Sequence, residues 1–252
     1  MLKSANNYQH REAKIFVKAV LKETIQILPK MPLTSSMAEM TQYLNNNLPF
    51  NSEQVRARRG RYIKFNMFHE HKIDMSLLIF ARNFPNSREL QDVCFYQFCR
   101  AQALMVDFIE NVILDRISVG FISREMITEY LRSRFPDSKV IHDGTSAICE
   151  ALLGAEIANK KKNHILFSYR SIPLKAFSFI LHSEFPNPGI YDIRMFEENR
   201  MIRAMLWSPE KLLHSLYELR NMGLISRISE IDNVRQFTTK LRLDESVTRI
   251  TS

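Results

Sequence analysis

Five cations lie within the segment from Asn51 to Met67, and their density suggests contact with a polyanion. The residues are Arg56, Arg58, Arg59, Arg61 and Lys64. No acidic residue lies between Gln54 and Met67, whereas a solvated helix face usually mixes both signs. Guanidinium and ammonium groups at this density can neutralise phosphates and release their counterions. We therefore predict a nucleic-acid-binding helix, with a solvent-exposed basic face as the alternative.

The basic segment follows a shorter predicted helix, and together they have the layout of a helix-turn-helix. Ser36 and Glu39 have capping-box spacing at the start of the first helix. Pro49 interrupts the chain, and Asn51 with Gln54 offers a second cap of the same kind. The sequence thus predicts two short helices joined by a tight turn.

Helical periodicity predicts how the basic helix is oriented. Val55 and Tyr62 recur on one side, which we assign to the core, while Arg61 and Lys64 lie opposite with Gly60. A glycine inside a helix costs roughly 1 kcal/mol relative to alanine. We expect Gly60 to let the helix backbone approach a phosphate or a groove wall.

A second module is predicted after residue 120, with the order helix, turn, helix, strand. Ser123 caps a helix that closes before Pro136, a second helix starts at Thr145, and residues 163–172 alternate as a strand would. Three lysines lie at the junction, where the wing of a winged helix would begin: Lys160, Lys161 and Lys162. A hairpin tip with three cations is suited to binding phosphates. A turn whose lysines contact only solvent explains the same residues equally well.

The carboxyl-terminal part repeats this order. Ser208 caps a helix with Pro209 at its first position, and Gly223 ends it in the residue type that tolerates a left-handed conformation. Two alternating segments then flank the turn pair Asp232 and Asn233. The exposed side of this helix carries both signs of charge, which favours protein contact or scaffolding over base reading; its residues are Glu210, Lys211, His214 and Glu218.

These patterns predict a mainly α fold, a helical bundle with helix-turn-helix and winged-helix modules that carry short β-hairpins. We place the domains at residues 1–85, 86–172 and 173–252. A first amphipathic helix is expected over residues 17–28, and a scaffold helix of about 25 residues should start at Ser87 and run through Val112.

Composition is consistent with a polyanionic partner and gives no sign of catalysis. The net charge is +8 and the sequence pI is about 9.4, a balance that favours nucleic acid. The chain has neither the GxxxxGK[ST] nor the GxGxxG pattern of a phosphate loop, and no acidic pair is suitably placed for a metal nuclease. We therefore expect no enzyme activity, no metal, no cofactor and no small-molecule substrate. The lack of a long apolar run or a secretion signal predicts a cytoplasmic protein without membrane contact. We expect its three cysteines to be buried thiols.

The central and carboxyl-terminal segments resemble a known family. Residues 94–131 (CFYQFCRAQALMVDFIENVILDRISVGFISREMITEYL), the lysine-bearing strand, and residues 203–226 (RAMLWSPEKLLHSLYELRNMGLIS) are similar to the BrxA family of bacterial BREX phage-defence systems. The similarity covers roughly residues 88–243. It implies a non-enzymatic, helix-rich protein with winged-helix-like modules that binds DNA beside larger BREX proteins, including a methyltransferase and an ATPase.

Both arguments favour a DNA-binding accessory subunit, and other hypotheses remain open. One is a protein adaptor whose winged-helix modules dock partner subunits and whose basic helix meets an acidic surface. Another is a stand-alone transcription regulator, although no dimerisation heptad is present. The bound nucleic acid could also be RNA, because a basic module of three helices can bind either polymer.

Overall fold

The computed structural model describes residues 13–231 and 234–252, which divide into two compact units. The first unit is Ala13–Ser168 and the described part of the second begins at Tyr169. The predicted boundary at residues 172/173 is close to the division between the units. The boundary predicted at residues 85/86 falls inside the first unit. The fold is mainly α with two small antiparallel sheets, as the sequence predicted.

The first unit begins with helices and ends with a small sheet. In chain order its elements are α1 (Leu21–Ile27), a 3-10 turn (Leu28–Lys30), α2 (Met37–Asn47), α3 (Glu53–Met67), a 3-10 turn (His69–His71), α4 (Met75–Asn83), α5 (Arg88–Ala101), α6 (Ala103–Phe108), a π-helical turn (Ile109–Ile113), a 3-10 turn (Leu114–Arg116), β1 (Phe121–Ser123), α7 (Arg124–Arg134), α8 (Ile141–Gly154), β2 (Asn159–Lys161) and β3 (His164–Leu166).

Local capping signals fix several helix starts. The hydroxyls of Ser36, Ser87 and Ser123 accept the backbone N–H three residues on, at 3.3, 3.1 and 3.4 Å. Each hydroxyl satisfies an amide that has no partner within its helix. These three predicted starts are confirmed. The predicted cap at Asn51 is wrong by one residue, because α3 begins after Ser52, whose side chain makes no capping bond.

Helix α5 is the core of the first unit. Its side chains from Leu90 to Cys99 are buried on nearly every face, as expected for a helix that is covered on all sides. Helices α1 and α3 pack against it. The predicted 25-residue helix is wrong in its length, because Gln102 leaves helical geometry at φ −120° and ψ 81°. The side-chain amide of Gln102 donates to Asn66 Oδ1 at 2.8 Å, and the side-chain amide of Asn66 donates to the Ala19 carbonyl at 3.3 Å.

Two other predicted helix starts are also corrected. Helix α1 begins at Leu21 and not at Val17, since Val20 has a left-handed φ of 52° that cannot belong to a right-handed helix. Helix α8 begins at Ile141, so Thr145 lies inside the helix, where its hydroxyl donates to the Ile141 carbonyl at 3.0 Å. The predicted strand over residues 163–172 is confined to β3.

The second half of the first unit has winged-helix order. The helical segment 103–116 is followed by β1, α7, α8 and the hairpin β2–β3, and the sheet order is β1-β3-β2 with antiparallel pairing. Ile122 pairs with Ile165 across β1 and β3, and both side chains are buried. The sheet therefore packs its apolar face onto the helices and leaves the β2–β3 hairpin at the surface.

The second unit has a similar order, with three helices instead of two between its first strand and its hairpin and one more helix after the hairpin. Its elements are α9 (Leu174–Glu184), β4 (Gly189–Asp192), α10 (Ile193–Glu197), α11 (Arg200–Ala204), α12 (Pro209–Asn221), β5 (Arg227–Ile231), β6 (Val234–Thr239) and α13 (Leu243–Thr251), with sheet order β4-β6-β5. Pro209 is the first residue of α12, and Gly223 has a φ of +71° after its end, as predicted. The predicted turn pair Asp232 and Asn233 lies outside the described residues.

A buried histidine joins α9 to the end of α12 in the second unit. His182 Nδ1 lies 2.8 Å from the Ser178 carbonyl oxygen, and Nε2 lies 3.2 Å from the Leu224 carbonyl oxygen. Burial lowers the pKa of His182, although the two carbonyl contacts act in the opposite direction. Desolvation is the larger effect, so the neutral imidazole is the form that the fold favours.

Candidate nucleic-acid interface

The buried face of α3 differs from the predicted one. Gly60, Ile63 and Met67 are buried, while Val55 and Tyr62 are only half-buried. A Cβ added at Gly60 would lie 3.3 Å from Leu44 Cβ of α2. Gly60 therefore allows close packing of α3 on α2, and its predicted role in approaching a phosphate or groove wall is wrong.

Arg56 holds the turn between α2 and α3. Its Nε donates to the Asn45 carbonyl at 2.5 Å, and its NH1 donates to the carbonyls of Phe50 and Asn51 at 2.5 and 3.1 Å. Carbonyls at the end of a helix and in a turn have no partner in the helix ladder. The guanidinium of Arg56 is therefore occupied within the fold.

Arg59 faces inward as well. Its guanidinium lies over the Phe50 ring at 5.4 Å and 3.9 Å from a Glu150 carboxylate oxygen of α8. The same carboxylate accepts the backbone N–H of Ala19 and Val20 at 3.4 and 3.1 Å. Arg59 thus connects the basic helix to α8.

Lys64 is the third cation that the fold engages. Its Nζ donates to Thr41 Oγ1 of α2 at 2.5 Å. Partial burial, with a smaller effect of the nearby Arg61 charge, lowers the pKa of the Lys64 ammonium. Its contact with α2 places Lys64 at the helix-helix boundary and away from the outer face of α3.

Two of the five predicted contact residues project from the outer face of α3. Arg58 and Arg61 are both exposed, and 100° per residue places them about 60° apart around the helix axis. Gln54 precedes the two arginines on the same side of the helix and Phe65 follows them. Both side chains are exposed, Phe65 by 52%. The outer face is therefore two guanidiniums, an amide and an aromatic ring, without an acidic side chain.

The three predicted wing lysines lie together on a hairpin, as the sequence suggested. Lys160 and Lys161 belong to β2, and Lys162 forms the turn with a left-handed φ of 54°. All three side chains are exposed. This hairpin gives an exposed, cationic tip suited to backbone phosphates, which need charge but little geometric precision.

Helix α8 is covered along much of its length. A Cβ at Gly144 would lie 2.5 Å from Ile15 Cγ2, and one at Gly154 would lie 3.3 Å from the Lys22 backbone nitrogen. Residues 15–22, named here the entry segment, therefore lie across one face of α8. In many winged-helix proteins the equivalent helix enters the major groove, but the covered face of α8 offers no surface for that role.

Sequence analysis missed a group of basic residues at the turn between α7 and α8. Arg132, Lys139 and His142 line a cleft there, together with Thr128 and Ser138. Their signal in the sequence was the presence of three basic residues around the turn of a predicted helix-turn-helix. Phosphate contact was predicted only for the basic residues of α3 and for the wing lysines.

Helix α12 has the mixed charge that the sequence predicted. Glu210, Lys211 and His214 are exposed, and the His214 ring lies 3.9 Å from Glu218. This face therefore lacks the excess of positive charge that α3 has.

Among the residues that the structure describes, few groups could support other chemistry. Cys94, Cys99 and Cys149 are free and buried, as predicted, and burial raises the pKa of each thiol. Within residues 13–231 and 234–252, no cluster of three or more metal-binding side chains occurs. In the same part of the chain, no helix is long and apolar enough to cross a membrane.

Comparison of the chain with protein-family models, curated proteins and solved structures gave no match.

Proposed function

We propose that this protein is a non-enzymatic, duplex-DNA-binding accessory component of a bacterial BREX phage-defence system, acting in the cytoplasm beside other BREX proteins. The observation that carries the DNA-binding part is the outer face of α3. Arg58 and Arg61 project from the second helix of a helix-turn-helix, while the neighbouring cations are engaged within the fold. The BREX assignment rests on the sequence resemblance over residues 88–243.

Three further features support DNA as the ligand. The net charge of +8 attracts polyanions over distances of about a Debye length. Lys160, Lys161 and Lys162 add exposed cations on the wing of the same compact unit. Arginine suits both phosphate and guanine, because its planar fork can donate two hydrogen bonds at once.

The proposal is tested by fluorescence anisotropy with a labelled duplex across a salt series. We expect tight binding at low salt and a steep loss of affinity as salt rises. The Arg58→Ala/Arg61→Ala variant should weaken binding and reduce the slope of log K against log salt by about 1–2, since each lost phosphate contact removes about 0.9.

A matched control separates a local contact from a loss of net charge. Lys14→Ala/Arg116→Ala removes the same two charges from exposed positions on other elements. This control should keep most of the wild-type slope. Equal slopes in both double variants would remove α3 from the interface, and no binding to duplex at low salt would refute the proposal.

A protein adaptor remains the second candidate, and one observation favours it. The second unit exposes several apolar side chains, of which Ile190 on the edge strand β4 is 61% exposed and Val234 on β6 is 50% exposed. An unpaired strand edge with an exposed apolar side chain is a common place for a partner to add a strand. Association with partner subunits that survives nuclease treatment and is lost in Ile190→Lys would support the adaptor function.

A further inference from the structure

We propose that the outer face of α3 reads base edges in the major groove, with a preference for thymine-containing sites that comes from Phe65. This inference rests on the proposed duplex-DNA binding and goes beyond it, because phosphate binding alone needs no sequence preference. It concerns four residues, named here the α3 stripe: Gln54, Arg58, Arg61 and Phe65.

The α3 stripe is narrow and continuous. At 100° per residue its four side chains fall within about 60° around the helix axis, and all four are exposed. Eleven residues separate its ends, which is about 16 Å along a helix at 1.5 Å per residue. Successive base pairs in B-DNA are about 3.4 Å apart, so the stripe matches about five base pairs.

The chemistry of the stripe is that of base recognition. Glutamine can pair with the N6 and N7 edge of adenine, and arginine with the O6 and N7 edge of guanine. An apolar side chain can contact the thymine methyl group, which projects into the major groove. Gln54 could also donate to a phosphate, whereas the Phe65 ring carries neither a charge nor a hydrogen-bond donor, so attraction to phosphate does not explain it.

Phe65 is the most informative member. It is 52% exposed, although the same helix buries Ile63 and Met67 completely. A single exposed apolar residue is ordinary, but Phe65 is in line with two exposed arginines and no acid. A phosphate-binding face gains nothing from an aromatic ring, whereas a groove-reading face gains a methyl contact.

The first experiment selects preferred sites from a random duplex library with wild-type protein. We expect an enriched motif, and we expect Gln54→Ala and Phe65→Ala to relax different positions of it. Both residues are exposed, so neither change should unfold the protein. Val119→Ala is the matched control for Phe65, since Val119 is 53% exposed outside the stripe.

The second experiment replaces each thymine of the selected duplex, one at a time, by deoxyuridine, which lacks only the methyl group. At one thymine, wild-type affinity should fall about fourfold, the equivalent of about 0.8 kcal/mol for one buried methylene-sized group. In Phe65→Ala the same replacement should change affinity less than twofold, while the Val119→Ala control should behave as wild type.

The outcomes separate this inference from the proposed function. Salt-dependent duplex binding with no enriched motif would leave the proposed function intact and overturn base reading. A motif that neither Gln54→Ala nor Phe65→Ala alters would also overturn it, as would equal deoxyuridine effects in wild type and Phe65→Ala. Tighter binding to single strands that Phe65→Ala abolishes would assign the ring to base stacking instead. Absence of any duplex binding would overturn both proposals.

Discussion

Arg56 and Arg58 are two residues apart on one helix, and the structure gives them opposite roles. Arg56 makes three hydrogen bonds to the carbonyls of Asn45, Phe50 and Asn51, whereas Arg58 projects outward. We therefore expect Arg56→Ala to destabilise the first unit and Arg58→Ala to leave its stability unchanged. Both variants lose the same charge, so a difference between them reflects position alone.

The magnitude follows from the bonds that are lost. Each hydrogen bond contributes about 0.5–1.5 kcal/mol net, and the lower half of that range applies because the Arg56 side chain is only half-buried. Three bonds then give about 2 kcal/mol. For a unit of this size, 1 kcal/mol shifts Tm by about 2–4 °C, so Arg56→Ala should lower Tm by about 4–8 °C.

Circular dichroism at 222 nm during heating and during urea denaturation measures this effect. Arg56→Lys is a useful intermediate, because it keeps the charge but lacks the planar fork that reaches several carbonyls; it should recover less than half of the loss. Arg58→Ala should lie within about 0.5 kcal/mol of wild type. Equal destabilisation by Arg58→Ala and Arg56→Ala would refute the structural role of Arg56, as would a Tm of Arg56→Ala equal to that of wild type.

Three other predictions concern the interior of the two units. Gly60→Leu should destabilise the first unit by about 1–3 kcal/mol in urea denaturation, because the side chain must separate α3 from α2; a stabilised variant would contradict this packing. Since burial lowers the pKa of His182, the neutral form is favoured in the folded state, so stability is complete above about pH 6.5 and declines as pH falls from there towards the folded pKa. Urea denaturation followed by Trp207 fluorescence at several pH values should show this decline in the free energy of unfolding in wild type and not in His182→Gln. Parallel pH profiles of the two proteins would exclude His182 as its source. Because burial raises the pKa of the Cys94 and Cys99 thiols, these two residues should react with a thiol reagent only after denaturation, and rapid labelling of either in the native protein would argue against their burial.

Elements with local signals could be predicted from the sequence. Serines before periodic apolar residues marked the starts of α2, α5 and α7, and Pro209 with Gly223 marked both ends of α12. The order of helix and then strand or hairpin in both modules followed from turn residues and alternation, whereas the first strand of each sheet, β1 and β4, was not predicted. These features depend on neighbours within a few residues, which sequence patterns record directly.

Features that depend on distant contacts could not be predicted. Gln102 interrupts the scaffold helix where its amide meets Asn66, which is 36 residues earlier in the chain. The separation of the five cations into exposed and engaged groups depends on where α2 ends and on where Glu150 lies. Composition identified the basic helix, but only the packing of α3 on α2 indicates which of its faces is outward.

The Glu150 carboxylate, carried by α8, connects three parts of the first unit. It lies close to Arg59 of α3 and accepts hydrogen bonds from backbone N–H groups of the entry segment. A fragment starting near residue 86 would retain α8 while losing both sets of partners, and would uncover the helix face around Gly144. The helix-turn-helix and the first winged helix are therefore interdependent. Although each matches a familiar independent motif, transferring the winged helix alone into another protein would expose the apolar face of α8 and remove the ion-pair and hydrogen-bond partners of Glu150.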